Sequence, residues 1–361
     1  MRALKLAALM LLAVACAKEG ANNSGTASST ASSASSGGSV DLTGAGATFP
    51  YPLYSKWFSV YAGKTGVKIN YQSIGSGGGI RQLSEGTVDF GASDSPMSDE
   101  EMSKAKGGPI LHIPTVLGAV VITYNVPGLT VPLNLTGKAI ADIFSGRITK
   151  WSDTRVTSLN PGVKLPATDI LVVHRSDGSG TSYIFTDYLT NAVPAWATSV
   201  GKGKEVKWPV GLGAKGNEGV AGQVQQTPGA IGYVELAYAK QNNLPSAAVE
   251  NKAGKRVLPS VASATAAAAG AAQALPANTD YRISIVNAPG PDSYPISSFT
   301  WILVYQHQTD AAKGKKLIDF LNWALTEGEA EASSLDYAPL PSSMASSVKA
   351  RLTTIDLTGA K

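Results

Sequence analysis

The stretch that decides the fold is Ile170 to Leu189, ILVVHRSDGSGTSYIFTDYL. Its first four residues are apolar and rich in β-branched side chains, which is typical of a strand buried in a parallel sheet. A short loop with Gly178 and Gly180 follows, and either Ser179 or Thr181 can cap a helix after it. The stretch therefore predicts a strand, a glycine loop and a helix in immediate succession.

The loop has the features of an anion-binding site. The first amides of a helix have no partners within the helix and lie at the positive end of its dipole, so a helix start attracts anions. Arg175 adds a permanent charge, and its planar guanidinium can bind a tetrahedral oxyanion through two parallel hydrogen bonds. Asp177, two residues later, is placed to hold the guanidinium in one orientation. The alternative interpretation is an ordinary capped helix with a surface ion pair.

Residues 1–15 have the layout of a secretory signal peptide, since Arg2 and Lys5 precede an apolar run that is too short to cross a membrane as a stable helix. Cys16, the single cysteine, follows Leu12 to Ala15, a run that resembles the lipobox of bacterial lipoproteins. The last three residues of that run would also serve as an ordinary cleavage site that releases a soluble protein. We expect an exported protein in the periplasm or on the outer face of the cell envelope, with a lipid anchor at Cys16.

The residues after the signal divide into a tether and a body. Residues 16–40 are a mixture of Ser, Ala, Gly and Thr without apolar periodicity, which predicts a flexible tether of roughly 25–30 Å. Residues 41–361 are long enough for two domains of common size. The net charge is +4, and removal of Arg2 and Lys5 leaves +2. This small charge argues against nucleic acid as a partner.

The body alternates strand-like and helix-like segments, which predicts an α/β fold. Val67 to Tyr71 reads as a strand before a glycine-rich loop with Ser76, and this forms a second strand, glycine loop and helix unit. Another apolar strand, Val88 to Ala92, ends just before Asp94. Ligands of open α/β sheets bind beyond the carboxyl ends of strands, so Ser76 and Asp94 are candidate contacts. The alternative for Asp94 is a helix cap before Met97 to Met102.

Two apolar runs, Thr115 to Tyr124 and Ser298 to Tyr305, predict strands that pass between two lobes. Such crossings would let the middle of the chain form one lobe while its two ends build the other. The expected boundaries are residues 41–120 and 296–361 for a discontinuous lobe 1 and residues 121–295 for lobe 2.

Two further helices are predicted in the second half of the body. The Ala-rich segment from Val261 to Leu275 predicts a surface helix, because its side chains are small. From Ala311 to Leu325, large apolar residues recur at helical spacing and predict a helix of the core.

Motifs for cofactors and catalysis are weak. Gly211 to Gly216 satisfies G-x-G-x-x-G, but Pro209 breaks the strand that a dinucleotide site requires. The three histidines, His112, His174 and His307, are scattered singly, which indicates neither a zinc cluster nor a Ser-His-acid triad. We therefore expect no cofactor, no metal and no enzymatic activity.

Many separate segments agree, in order and spacing, with one known family. They are LTGAGATFPYPLYSKW, YQSIGSGGGIRQL, VDFGASDSPMSD, GRITKWSD, LNPGVKLP, RSDGSGTSYIFTDYL, VKWPVGLGAKGNEGVAG, PGAIGYVELAYAKQNNL and LDYAPLP. From Leu42 to about Leu340 the chain resembles the phosphate-binding proteins of bacterial phosphate-specific ABC transporters. The resemblance implies a monomeric, two-lobed type II periplasmic binding protein with a hinge between the lobes. It also implies capture of inorganic phosphate and delivery to a membrane permease.

The resemblance extends to the site residues. Carried over position by position, the phosphate contacts of lobe 1 would be Thr48, Phe49, Ser76 and Asp94. Those of lobe 2 would be Arg175, Ser179, Gly180 and Thr181. Asp177 would pair with Arg175 behind them.

Two rival functions differ from phosphate delivery. An enzyme acting on phosphate esters needs a nucleophile with a base or a metal centre, and the sequence offers neither at recognisable spacing. A binding protein for sulfate or molybdate is the second rival. Asp94 argues against it, because sulfate carries no proton that a carboxylate could accept as a hydrogen bond.

Overall fold

The computed structural model describes residues 41–272 and 280–358. The expected signal peptide, the tether and Cys16 lie outside these described residues. No helix in the described part is long and apolar enough to cross a membrane.

Most strands of the described ranges belong to one mixed sheet in the order β2-β1-β3-β11-β4-β8-β6-β7, with β12 added beside β4. A small sheet has the order β10-β9-β5. The strands are β1 (Leu42–Gly46), β2 (Ile69–Ser73), β3 (Phe90–Ser93), β4 (Ile110–Tyr124), β5 (Asn134–Leu135), β6 (Leu171–Arg175), β7 (Leu212–Ala214), β8 (Ala230–Glu235), β9 (Ala248–Glu250), β10 (Arg256–Val257), β11 (Ser297–Tyr305) and β12 (Ala338–Pro339).

Helices connect most of these strands, as the alternating pattern predicted. They are α1 (Tyr51–Thr65), α2 (Ser76–Ser84), α3 (Asp99–Ser103), α4 (Gly137–Phe144), α5 (Thr154–Thr157), α6 (Gly180–Ala192), α7 (Pro194–Ser199), α8 (Gly216–Gln226), α9 (Leu236–Gln241), α10 (Val261–Ala272), α11 (Ala311–Ala324) and α12 (Ser342–Leu352), with short 3₁₀ turns at Gly328–Glu331 and Ser333–Leu335.

Strand β4 lies in the middle of the large sheet, between β11 and β8, and is buried along its whole length. From Ile110 to Ala119 it pairs with β11, and from Val120 to Tyr124 it pairs with β8. Both pairings are antiparallel, whereas β1 pairs in parallel with β2 and β3, and β6 pairs in parallel with β7 and β8. An uninterrupted apolar strand therefore links two groups of parallel strands.

The Ala-rich helix α10 corrects one expectation from the sequence. It was predicted to lie on the surface, but Ala264, Ala267, Ala268 and Ala271 are buried along one face. This face packs against β4, β11 and β12. Small side chains let the helix backbone approach the sheet closely, so an alanine face can be a packing face rather than a solvent face. The core helix predicted from Ala311 is confirmed as α11.

Candidate anion-binding site

Two strand, glycine loop and helix units lie against each other in the fold. The loop between β2 and α2 contacts the loop between β6 and α6, where the N–H of Gly77 donates to the carbonyl of Gly178 over 2.8 Å. Gly75 precedes α2 with φ +85°, and a Cβ there would collide with Asp177 Oδ2 and the Gly178 carbonyl. Only glycine permits this approach, because an L side chain is strained at that φ and has no space. The two loops predicted to bind a ligand thus form one site.

Arg175 is held as the sequence predicted. Its Nε donates to Asp177 Oδ1 over 2.7 Å, and its Nη2 donates to Asp177 Oδ2 over 2.5 Å. Its Nη1 lies 3.3 Å from Thr181 Oγ1, at the start of α6. Asp177 also accepts the N–H of Gly216 over 3.1 Å. Although burial would raise it, the pKa of Asp177 is lowered by its hydrogen bonds and charge interaction with Arg175. The pair is therefore ionised, with the guanidinium orientation fixed.

The cap of α6 is Ser179 rather than Thr181. The Ser179 hydroxyl accepts the N–H of Ser182 over 2.9 Å, and its own N–H donates to the carbonyl of Lys204 over 3.0 Å. This leaves the Thr181 side chain, one residue inside the helix, to face Arg175. These bonds decide between Ser179 and Thr181, the two caps that the sequence allowed.

Asp94 lies on the other side of the site, after β3. Its side chain is 1% exposed, and its Oδ1 accepts the hydroxyl of Thr300 over 2.7 Å. Its backbone N–H donates to Ser76 Oγ over 3.1 Å. Asp94 does not cap the next helix, because α3 begins at Asp99 and Ser98 is its cap. The helix-cap interpretation of Asp94 is therefore wrong.

Gly180 brings the two sides together. A Cβ at this position would lie 2.5 Å from Asp94 Oδ2 and would also collide with Ser76 Oγ. The carboxylate of Asp94 therefore lies directly against the first residue of α6, where backbone N–H groups point away from the helix. Any side chain at residue 180 would separate them.

Thr48 joins the site through Asn217, a residue that the sequence analysis did not single out. Asn217 Nδ2 donates to Thr48 Oγ1 over 2.7 Å and to Thr181 Oγ1 over 3.0 Å. Asn217 Oδ1 accepts the N–H of Glu235 over 2.9 Å, which fixes the amide orientation. Because both hydroxyl oxygens already accept from the amide, their protons are free to point into the site. The motif GAKGNEGVAG contains Asn217, but its partners are 169 and 36 residues away.

Phe49 is fully buried, and the contacts of its side chain are apolar. Its ring packs edge-on against Tyr337 at 6.3 Å, and a Cβ on Gly118 would collide with it. Its carbonyl accepts the hydroxyl of Tyr337. These contacts place its side chain in the apolar wall beside Thr48, rather than among the hydrogen-bonding groups of the loops.

The site combines many donors with one free carboxylate. The guanidinium, four hydroxyls and the start of α6 can all donate, whereas Asp94 accepts. All six side chains are at most 3% exposed, namely Thr48, Ser76, Asp94, Arg175, Ser179 and Thr181. One guanidinium faces two carboxylates, so an anion would be held by oriented hydrogen bonds and dipoles rather than by net charge. Within the described ranges, no group of three or more His, Cys, Asp or Glu is placed to hold a metal ion.

Burial has a direct effect on Asp94. Desolvation raises the pKa of this carboxyl to about 7, although hydrogen bonds from Thr300 and Ser76 and the charge of Arg175 oppose the shift. A carboxyl with this pKa can be either ionised or protonated near neutral pH. An ionised Asp94 accepts a hydrogen bond from a protonated oxyanion, whereas a protonated one would donate to it.

Comparison with known proteins shows the family to which this chain belongs. The model of the PBP superfamily domain matches residues 24–327. The Phosphate-binding protein PstS of Pasteurella multocida is 46% identical over 311 residues, which cover 86% of this chain and 89% of that protein. The chain belongs to the PstS family of phosphate-binding proteins. The PstS of Methanocaldococcus jannaschii is 40% identical over 321 residues, covering 83% of this chain and 82% of the relative.

Solved structures show the same fold as this PstS-family chain. A periplasmic phosphate-binding protein (PfluDING) bound with phosphate has a TM-score of 0.70 at 22% identity, and the match covers 89% of this chain and 100% of that chain. A phosphate-binding protein from Stenotrophomonas maltophilia has a TM-score of 0.65 at 23% identity, covering 86% and 94%. The two-lobed α/β fold of periplasmic binding proteins, expected from the sequence, is confirmed.

Proposed function

We propose that this chain binds inorganic phosphate outside the cytoplasm and delivers it to the permease of an ABC importer. The observation that carries the proposal is the juxtaposition of Asp94 with the Arg175 guanidinium and the start of α6. Phosphate near neutral pH is an anion that still carries at least one proton. It needs many donors and one acceptor, and this combination is what the two loops present.

The proposed phosphate contacts come from both halves of the chain. They are Thr48, Phe49, Ser76, Asp94, Arg175, Ser179, Gly180 and Thr181, with Asp177 behind Arg175. The hydrogen bonds through Thr48, Asp94 and Arg175 support their inclusion. Phe49 enters as an apolar wall that excludes water from the anion.

We propose lobe 1 as residues 41–120 with 296–361 and lobe 2 as residues 121–295. The change of partner along β4, between Ala119 and Val120, supports a hinge at this point. Residues from both proposed lobes contact the site, so a phosphate held between them favours the closed form through contacts that it can make only there.

The anchoring and assembly of the protein also remain proposals. A lipid on Cys16 would hold the body at the outer face of the membrane, where a permease could receive phosphate from it. We propose that the body acts as a monomer without a cofactor. Metabolic labelling with a radioactive fatty acid would test the anchor, because a Cys16→Ser variant should lose all label.

We propose that Asp94 selects phosphate over sulfate. Sulfate has no proton near neutral pH, so it cannot donate a hydrogen bond to an ionised Asp94. The negative charges of the carboxylate and of sulfate then repel each other. In an Asp94→Asn variant the amide oxygen still accepts, but the charge is gone. We expect this variant to bind sulfate measurably better than the parent protein does, while its loss of phosphate affinity stays smaller than that of Arg175→Lys.

Thermal unfolding against a panel of phosphate, sulfate, a nucleotide and divalent metal ions tests the proposed function. A ligand at a hundredfold excess over its dissociation constant stabilises the folded state by about 2.7 kcal/mol. At about pH 8.5, where Asp94 is ionised, we expect phosphate to raise the melting temperature and the other compounds to leave it unchanged. Stabilisation by sulfate instead would favour the rival anion-binding function. Competition of labelled phosphate by millimolar sulfate then compares Asp94→Asn with the parent, and equal sensitivity would remove Asp94 as the selective group.

A further inference from the structure

Thr300 is the closest hydrogen-bonding partner of the Asp94 carboxylate. It is fully buried in β11, 206 residues away along the chain, and its hydroxyl donates to Asp94 Oδ1 over 2.7 Å. The second carboxylate oxygen, Oδ2, lies 3.4 Å from Ser76 Oγ and against Gly180. One oxygen is thus fixed by Thr300, and the other is directed at the proposed ligand position.

An irregularity in the sheet holds Thr300 in this place. Thr300 of β11 pairs with Val116 of β4, but Trp301 pairs with Pro114, so Thr115 has no partner opposite it. Such a shift in register re-aims the side chains beside it. Thr115 Oγ1 donates to the carbonyl of Thr300 over 3.3 Å and lies 2.7 Å from the hydroxyl of Tyr54. These buried bonds fix the backbone from which the Thr300 hydroxyl reaches Asp94.

We propose that Thr300 is a positioning residue that keeps the Asp94 carboxylate ionised and aimed at the ligand, and thereby sets the discrimination between phosphate and sulfate. This inference rests on the proposed function. Thr300 acts through Asp94 and has no contact with the anion in this role. A hydroxyl can donate to an ionised carboxylate at little cost in geometry, whereas a methyl group in its place leaves that oxygen buried without a partner.

The direction of the effect follows from the hydrogen bond. The Thr300 bond lowers the pKa of Asp94 against the opposing effect of burial. Removing it favours the protonated carboxyl at neutral pH. A protonated Asp94 donates a hydrogen bond, and sulfate can accept one. Loss of Thr300 should therefore convert Asp94 from a group that rejects sulfate into one that tolerates it.

Sulfate binding reports this change cleanly, because sulfate itself does not titrate between pH 5 and 9. The groups that act electrostatically on Asp94 are also constant in this range. Arg175 stays charged, and burial raises the pKa of each tyrosine near Asp94 above its usual value; these tyrosines are Tyr54, Tyr71, Tyr238 and Tyr337. Asp177 is ionised throughout. The pKa of buried Glu235 is raised, but its hydrogen bonds go to Tyr337 and Ala237, so its titration cancels between variant and parent.

The test measures the sulfate inhibition constant against phosphate binding from pH 5 to 9 in the parent and in Thr300→Val. The phosphate affinity of the same protein is measured at each pH, because phosphate itself titrates in this range. In the parent we expect sulfate to compete at low pH and to lose this ability as Asp94 ionises. In Thr300→Val the midpoint should move to higher pH by about one to two units, the shift that corresponds to a hydrogen bond to a charged group. At pH 7.5, where part of the parent is still protonated at Asp94, sulfate should then compete about three- to fourfold better than in the parent. Thr300→Ser, which keeps the hydroxyl, should restore the parent profile.

A second buried threonine controls for the loss of a hydroxyl. Thr123 of β4 is fully buried and donates to the carbonyl of Pro245 over 2.9 Å, outside the site. Thr123→Val should lower stability without moving the sulfate profile. If Thr300→Val does not fold, Thr300→Ala carries the same test. Parent protein that binds no phosphate would overturn the proposed function, whereas parent-like sulfate profiles in a folded, phosphate-binding Thr300→Val would overturn only the role of Thr300.

Discussion

Asn217 is the residue that we expect to couple closure of the lobes to orientation of the site. Its amide bridges Thr48 of the proposed lobe 1 and Thr181 of lobe 2. The bond to Thr181 stays within lobe 2 and can persist in an open form, so only the bond to Thr48 depends on closure. One such neutral hydrogen bond contributes about 0.5–1.5 kcal/mol. Asn217→Ala should therefore weaken phosphate binding by about 2- to 13-fold.

Asn217→Asp is the more informative variant, because it keeps the shape of the side chain. A carboxylate accepts where the amide donates, so the hydroxyl protons of Thr48 and Thr181 would turn towards it and away from phosphate. Loss of two hydrogen bonds to an anion, each about 1.5–3 kcal/mol, predicts a fall in affinity of more than about a hundredfold. We thus expect affinity to decrease from the parent to Ala and further to Asp.

Isothermal titration calorimetry with phosphate measures these affinities, and denaturant unfolding without phosphate measures stability. Asn217→Ala leaves the buried N–H of Glu235 without its acceptor, at a cost of about 1–3 kcal/mol in unfolding free energy. Asn160 is a matched control that lies outside the site. Its buried amide oxygen accepts the N–H of Asn134 over 2.8 Å. Asn160→Ala should lose stability without losing affinity. Tighter phosphate binding by Asn217→Asp than by Asn217→Ala would refute the argument from hydroxyl orientation.

Three further predictions concern the Arg175 guanidinium, an ion pair between the proposed lobes and closure of the lobes around phosphate. In Arg175→Lys, the single ammonium group cannot form two bonds to Asp177 and also contact the anion. We expect calorimetry to show about 10- to 150-fold weaker phosphate binding with the fold intact. Unchanged affinity would exclude Arg175 from the site. Glu101 forms an ion pair with Lys204 over 2.5 Å between the two proposed lobes. Loss of this pair in Glu101→Gln should weaken the closed form and raise the phosphate dissociation rate, measured by stopped flow, by up to about fivefold. Glu100→Gln, on the same helix, should leave this rate unchanged. Small-angle scattering should show a more compact particle with saturating phosphate than without it, and identical profiles would contradict a site between lobes.

Local patterns in the sequence predicted the parts of the site that are local in the structure. Arg175, Asp177 and the helix cap lie within five residues, and their chemistry is visible in one loop. The strand before this loop, β6, is apolar enough to be recognised by composition alone. The long strand β4 was also recognisable, although it begins five residues earlier than the predicted Thr115.

The missed residues depend on contacts between distant segments. Thr300 lies in an apolar run of the sequence, and its proposed role depends on the register shift opposite Thr115, which no periodicity indicates. Asn217 directly follows the G-x-G-x-x-G pattern of Gly211 to Gly216 and lies in a segment that resembles the family, but neither pattern indicates its bonds to Thr48 and Thr181. The prediction that α10 lies on the surface was wrong for a different reason. Hydropathy alone does not distinguish a face of small side chains that packs closely against a sheet from one that contacts solvent.

The site separates the strength of binding from its selectivity. Hydrogen bonds across the proposed lobes, such as Asn217 to Thr48 and Gly77 to Gly178, stabilise the closed form whichever anion lies in it. They raise the fraction of molecules that is competent to bind, and this fraction scales the apparent affinity for every ligand alike. The donors cannot distinguish phosphate from sulfate either, because both anions accept hydrogen bonds. Only a group that accepts can sense the proton of phosphate, and in the loops Asp94 has that role. Variants at Gly77 or Glu101 should therefore change phosphate and sulfate affinities by the same factor, whereas Asp94 and Thr300 variants should change their ratio.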